Sequence, residues 1–116
     1  MMRFVTVTGG RDYRDKAAVY RVLDGQLKEG PMTLVHGNCR TGLDALANTW
    51  AAVRSVDVLR YEAEWKEYGP AAGPRRNWLM MRGKPDLLIA FPGGRGTADC
   101  IAHAVRFRVP VLYVLG

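Results

Sequence analysis

Short apolar runs alternate along the chain with stretches whose apolar positions recur every three or four residues. Phe4-Val5-Thr6-Val7 reads as a first strand. From Asp15 to Glu29, Val19, Val22, Leu23 and Leu27 fall on one helical stripe, and Gly30-Pro31 stops that helix. Met32 to His36 predicts a second strand. Leu43, Leu46, Ala47, Trp50 and Ala51 give a second helical stripe. Val56 to Tyr61 predicts a third strand, and its polar Asp57 and Arg60 suit a sheet edge. A short helix from about Pro74 to Arg82 follows. Leu87-Leu88-Ile89-Ala90, apolar on both faces, predicts a fourth strand. Ala98, Ile101, Ala102 and Val105 mark a fourth helix. Val109 to Leu115 predicts a last strand, with Pro110 near its start, where a missing N–H is tolerable. Glu62 to Gly73 is the longest irregular stretch.

Five strands separated by helices imply a parallel sheet covered on both faces. With right-handed crossovers this is a Rossmann-like three-layer α/β sandwich with a parallel five-stranded sheet. Residues 1–116 are expected to form a single domain, with no internal repeat and no low-complexity segment.

In such a sheet, ligands bind beyond the carboxyl ends of the strands. The loops expected there are Gly9-Gly10-Arg11-Asp12, Gly37-Asn38-Cys39-Arg40-Thr41-Gly42, Ala71-Ala72-Gly73-Pro74-Arg75-Arg76-Asn77 and Pro92-Gly93-Gly94-Arg95-Gly96-Thr97. Each holds glycine and at least one arginine. The opposite edge has shorter connections poorer in glycine, so the function is expected at the first edge. Glycine lets a backbone approach a ligand closely, and helix N-termini offer free N–H groups and partial positive charge. Pro92 to Thr97, between an apolar strand and a helix, is placed to wrap a phosphate, with Thr97 capping the helix. The alternative is a glycine-rich turn that merely closes the connection.

Charge sharpens this picture. The formal net charge is +6, and thirteen of the seventeen basic residues are arginine, whose planar fork matches phosphate or carboxylate. An anionic partner is expected, either nucleic acid or a small phosphorylated ligand. Apolar residues make up 48% and charged residues 24%, an ordinary globular mix that excludes a disordered tail, a collagen-like rod and a disulfide scaffold. Cys39 and Cys100 are expected to be free thiols, and no metal-ligand spacing is present, so no metal and no cofactor are expected. No apolar run approaches the ~20 residues that span a bilayer. Met1 to Val7 lacks the apolar stretch of a secretion signal, and a cytoplasmic location without membrane association is expected. GxxxxGK(S/T) is absent, which excludes a P-loop. Thr8-Gly9-Gly10-Arg11 is not GxGxxG, which argues against a dinucleotide site of the dehydrogenase type.

Several residues carry two readings. Thr41 and Asp44 fit a T-x-x-D helix cap; alternatively, Asp44 accepts a hydrogen bond from a sugar hydroxyl. Trp65 and Tyr68 stack on a base or cover the end of the core. Trp50 is expected in the core. His36 and His103 are expected to be structural or exposed. Cys100 and His103, three apart on one helix, could meet as a nucleophilic dyad.

The motifs Gly9 to Tyr13, His36 to Ala45, Ala72 to Asn77 and Phe91 to Asp99 resemble, in order and spacing, the YspA-like branch of the SLOG superfamily, named for the SMF, DprA and LOG proteins. The resemblance implies a Rossmann-like domain that binds nucleotides or nucleotide-derived ligands. LOG enzymes release a base from a nucleoside 5′-monophosphate and carry Pro-Gly-Gly-x-Gly-Thr-x-x-Glu with an Arg-Lys pair upstream. Pro92, Gly93, Gly94, Gly96 and Thr97 match; the Glu position is Cys100, and the pair falls on Arg76-Asn77. Glycosidic cleavage needs a carboxylate, and a thiol does not replace it well. Asp99, one position early, and Arg76 are weak catalytic candidates, with Glu64 as another carboxylate.

The leading expectation is a sensor or sequestering module for a nucleotide-like anionic small molecule. The binding set is Gly9, Gly10, Arg11, Gly37, Arg40, Thr41, Asp44, Arg76, Asn77, Pro92, Gly93, Gly94, Arg95, Gly96 and Thr97. The alternatives are a LOG-like phosphoribohydrolase and a DprA-like binder of single-stranded nucleic acid. The last is less favoured, because the charge sits in loops and not in one extended stripe. The apolar run Trp78-Leu79-Met80-Met81 and the dimeric LOG relatives suggest a homodimer, unless that helix is buried within the domain.

Overall fold

A computed structural model describes residues 2–116. Five strands, β1 (Arg3–Thr8), β2 (Met32–His36), β3 (Asp57–Arg60), β4 (Leu87–Ala90) and β5 (Val111–Tyr113), form one all-parallel sheet in the order β3-β2-β1-β4-β5. The helices are α1 (Lys16–Lys28), α2 (Gly42–Arg54), the short α3 (Trp65–Tyr68), α4 (Ala72–Arg82) and α5 (Arg95–Arg106). This is the Rossmann-like sandwich expected from the alternation of strands and helices. β1 pairs with β2 from Arg3↔Met32 to Thr6↔Val35, and with β4 from Val5↔Leu87 to Thr8↔Ala90. The chain reverses direction across the sheet at β1, which places the crevice between the ends of β1 and β4.

Two cores flank the sheet. Val5 and Val7 of β1 face α1 and α2, where Leu23, Leu34, Leu43, Trp50, Ile89 and Phe91 are sealed from water. On the other face, Val35 and Leu88 pack against Met80 and Met81 of α4 and Cys100 and Ala104 of α5. Asp15 caps α1, its carboxylate accepting from the Ala18 N–H at 3.0 Å. Ser55 ends α2 in the left-handed region.

The structure corrects the sequence reading in four places. The stretch 62–73 is not irregular throughout: α3 and a 3₁₀ turn (Gly69–Ala71) occupy part of it, and α4 begins at Ala72, two residues before Pro74. Proline is tolerated there because its missing N–H falls in the first turn. β5 is only three residues long, since it lies at the sheet edge with a single partner strand. Thr97 does not cap α5: the helix starts at Arg95 after Gly94, which puts Thr97 in its first turn, buried. On α5 the buried positions are Thr97, Cys100 and Ala104, while Ala98, Ala102 and Val105 are exposed. Periodicity located this helix but not its inward face.

β3 is an edge strand, as Asp57 and Arg60 suggested. Met80 and Met81 are buried within the chain, and Trp78 packs edge-on against Phe107 at 6.3 Å. Most of the apolar run on α4 is thus covered internally. Among the described residues, no helix is long and apolar enough to cross a membrane.

Candidate functional site

A cleft of about 960 Å³ opens beyond the carboxyl ends of β1, β2 and β4. Its walls are the loops after those strands and the start of α4. The loops are joined to one another by backbone hydrogen bonds. The Gly10 N–H donates to the Pro92 carbonyl at 2.9 Å, and the Gly10 carbonyl accepts from Leu43 N–H at 3.1 Å. Three separate connections are therefore held as one surface.

Two glycines are required by this packing. A Cβ at Gly37 would lie 2.5 Å from the Arg76 Nη1, so a side chain there would evict the guanidinium. A Cβ at Gly93 would strike the Thr97 side chain and lie 2.7 Å from the Gly10 nitrogen.

Arg76 enters the cleft from α4. Its Nη1 donates to the Gly37 carbonyl at 2.6 Å and its Nε to Asn77 Oδ1 at 2.9 Å. Asn77 is buried. Its Nδ2 donates to the Gly96 carbonyl at 3.2 Å and to Asp99 Oδ2 at 3.0 Å. Asp99 Oδ1 lies 3.5 Å from His103 Nε2. Asn77 thus ties the first turn of α5 to the arginine facing it. Among the described residues, none of Arg11, Arg76 and Arg95 forms a salt bridge, and all three line the cleft. Arg11 also lies over the Trp65 ring, 5.7 Å from its centroid, at the rim. α5 carries no acidic residue in its first turn and no side-chain cap, which leaves its N-terminal N–H groups open to the cleft.

Asp44 lines the same cleft. It is buried in the first turn of α2, and its Oδ2 accepts from the Cys39 N–H at 3.2 Å. Burial, and next the charge of Asp44, push the Cys39 thiol up. Cys100 lies fully buried beneath the cleft, and burial pushes its thiol up to about 12 despite a hydrogen bond from Thr8. It is neither ionised near neutrality nor exposed to a ligand.

Most of the predicted binding set converges on the cleft: Gly9, Gly10, Arg11, Gly37, Asp44, Arg76, Asn77 and the whole of Pro92 to Thr97 line it, as does Asp99. Arg40 and Thr41 do not. Arg40 is exposed in the turn before α2, and the Thr41 hydroxyl donates to the Arg11 carbonyl at 3.1 Å. Thr41 stands at the N-cap of α2 but makes no side-chain cap bond, and Asp44 reaches Cys39 instead, so the capping box is not formed. Glu64 is exposed outside the cleft. The Cys100–His103 dyad is absent, because His103 turns to Asp99. His36 is structural. It is buried, its Nδ1 accepts from the Asn38 N–H at 2.9 Å, and its Nε2 consequently donates to Asn48 Oδ1 at 3.0 Å. Tyr13, Cys39, Pro70 and Met80 line the cleft without having been singled out for it. Tyr13 and Cys39 lay within or beside loops already identified by their glycines. Nothing in the pattern distinguishes Met80 from an ordinary core residue.

Comparison with known proteins identifies the family. Residues 3–68 match the YspA, cpYpsA-related SLOG family (YAcAr), from β1 through α3. The chain is also similar to the Gene 61 protein of Mycobacterium phage D29, 36% identical over 120 residues that cover 96% of this chain and 95% of that protein. That match extends the likeness through the second half of the sheet. With more than half its length matched by the family and a full-length relative beside it, the chain belongs to the YspA, cpYpsA-related SLOG family.

Proposed function

We propose that the cleft binds a nucleotide or a nucleotide-derived anionic small molecule, and that the protein acts as a sensor or sequestering module for it. Family membership points to a nucleotide-related role. The observation that carries the finer reading is the convergence on one cleft, among the described residues, of three arginines without a carboxylate partner, the open N-terminus of α5 and the buried carboxylate of Asp44. A phosphate would lie on Gly93 to Thr97, where backbone N–H groups and the helix dipole favour an anion. Arg76 and Arg95 would neutralise its charge, and Asp44 would accept from a sugar hydroxyl. Trp65 at the rim offers a face for a base. The cleft is large enough for a nucleotide with a further group attached.

Binding without cleavage is favoured over glycosidic hydrolysis. The position that would supply a carboxylate is the buried thiol of Cys100. Asp99 does line the cleft, but both its oxygens are engaged, by Asn77 and by His103. Nucleic-acid binding is disfavoured because the unpaired arginines gather in a concave site.

The test is a thermal-shift screen of nucleoside monophosphates, dinucleotides, cyclic nucleotides and ADP-ribose derivatives, followed by calorimetry. A ligand at 100 times its dissociation constant adds about 2.7 kcal/mol of stability, a rise of several degrees. Arg76→Ala with Arg95→Ala is expected to abolish the shift while the unliganded protein still melts cooperatively. Chromatography of the mixture is expected to return the ligand intact. No shift with any compound, or unchanged affinity in the double variant, would overturn the reading.

A further inference from the structure

We infer that residues 62–71, which join β3 to α4, form a hinged strap at the mouth of the cleft, held by a latch of Arg11 on Trp65 that a bound ligand exchanges for its own phosphate and base. The inference deepens the reading proposed above and rests on it for the chemistry of the ligand.

The first observation is how little fixes this segment. The other walls of the cleft are tied together through their backbones, Gly10 to Pro92 and Leu43 to Gly10. The last backbone hydrogen bond before the strap runs from Tyr61 N–H to the His36 carbonyl. Within the strap, Glu67 and Tyr68 N–H both donate to the Glu64 carbonyl, and Gly69 N–H to that of Trp65. Among the described residues, no backbone hydrogen bond joins 62–71 to the sheet or to another loop of the cleft. None of these residues is buried. A segment with neither buried apolar contacts nor outward backbone bonds opens locally, far below the cost of global unfolding.

The second observation is a hinge. Gly69 ends α3 at φ +54° and ψ −134°, a combination essentially confined to glycine. No atom lies within 4 Å of the place a Cβ would take there. Packing therefore does not ask for glycine at this position; the turn of the backbone does.

The third observation is what the strap turns inwards. Trp65 and Pro70 line the cleft, whereas Glu64 and Glu67 do not. The Arg11 guanidinium lies 5.7 Å from the centroid of the Trp65 ring. The backbone of Arg11 is held fast: the Thr41 hydroxyl donates to its carbonyl at 3.1 Å, and Tyr13 N–H closes on the Gly10 carbonyl at 3.2 Å. The strap is therefore the partner that moves. Its other outward ties, Asn38 Nδ2 to Glu62 and Arg75 over the Tyr68 ring, are contacts at the surface, where such contacts are weak. A phosphate in the cleft draws the Arg11 guanidinium off the ring, and a base takes the face it leaves. One exchange thus reads both parts of the ligand, and the strap closes only on a molecule that carries both.

The experiment is hydrogen exchange read by mass spectrometry on the full chain. Without any ligand, peptides from 62–71 are expected to exchange far faster than those from 77–82. Arg11→Ala and Trp65→Ala are each expected to speed the strap by about two- to fivefold, the worth of an exposed cation–π contact, with the melting temperature unchanged. Inorganic phosphate, which takes Arg11 and offers no base, is expected to bring the wild-type strap to the rate of Arg11→Ala. Adenosine 5′-monophosphate and ADP-ribose, at saturation by calorimetry, are expected to slow the strap below the unliganded rate, and Trp65→Ala to remove that slowing. A strap that exchanges as slowly as 77–82, or that neither variant speeds, would overturn the inference. So would equal protection by phosphate and by a bound nucleotide. If neither nucleotide binds, the nucleotide reading falls by itself, and the two variants and the phosphate comparison still decide the latch.

Discussion

The two layers that cover the sheet share the same strands but are built differently. Between the sheet and α1–α2, the buried side chains are mostly apolar; buried His36 is tied to Asn48 of α2, and a second polar tie sits at the periphery, where Trp50 Nε1 donates to Asp24, which is also gripped by Arg54. Between the sheet and α4–α5, Thr8, Asn77, Thr97 and Cys100 are buried among the methionines, and a chain of hydrogen bonds runs from Gly37 through Arg76 and Asn77 to Asp99. The strand pattern already contains this division. Val5 and Val7 point one way and Thr6 and Thr8 the other. The first layer supplies stability, and the second gives up apolar burial to hold polar groups at the cleft, where each must be satisfied.

The largest way to break this comparison is Trp50→Ala. Trp50 is fully buried in the α1–α2 layer, and its removal is expected to cost about 3–5 kcal/mol. The melting temperature should fall by on the order of 10–20 °C. A drop of only a degree or two would show that this layer is not the stabilising one.

Alkaline pH strains the opposite layer. Burial raises the Cys100 thiol from 9.0 to about 12, so the folded state keeps its proton where the unfolded chain has lost it. The stability this contributes is fully present below about pH 9 and is lost as the pH rises towards about 12. The slope is roughly 1.4 kcal/mol per pH unit in that window. Tyr13, also raised chiefly by burial, adds in the same direction. The difference between wild type and Cys100→Ala isolates the thiol: urea midpoints at pH 8 and 10.5 should converge. Parallel curves would remove Cys100 from the account.

Asn77→Ala tests whether the polar layer serves the cleft. It leaves Arg76 and Asp99 each short of a partner, at a cost of about 1–3 kcal/mol. Affinity for whichever nucleotide the screen finds should fall by about tenfold or more, because Arg76 loses its anchor. A stability loss with unchanged affinity would make Asn77 a core residue only.

How far the chain could be read in advance follows from which physics is local. Strand runs and helix stops are local, so the order of elements and the parallel sheet were legible. The glycine and arginine loops were legible too, because topology sends them to one edge. What failed depended on contacts between distant segments. The T-x-x-D spacing of Thr41 and Asp44 promised a cap, yet the hydroxyl went to Arg11, thirty residues away. The α5 stripe was assigned by period alone, but its inward side was settled by Leu88 and Met81, which placed Cys100 and Ala104 inside and Val105 outside. Arg40 shares a loop with Gly37, yet a single turn carries it out of the cleft.

The smallest effect belongs to the peripheral tie of the apolar layer. Arg54 first, and then Trp50, hold the Asp24 carboxyl down from 3.8 to about 2 by hydrogen bonding. A depressed acid contributes stability above its unfolded value and loses it as the pH falls through its folded value. The contribution should therefore be present above about pH 4 and disappear towards pH 2. Asp24→Asn keeps an acceptor for Trp50 but removes the charge, so wild type should exceed it in urea midpoint at pH 5 and match it near pH 2. The side chains of Arg54 and Asp24 are 37% and 33% exposed, so solvent screens the pair and ~1 M salt should narrow the gap at pH 5. A gap that persisted at pH 2, where the carboxyl is protonated, would show that the stabilisation does not come from the ion pair. The apolar layer would then owe nothing to charge, and its contrast with the α4–α5 side would be sharper still.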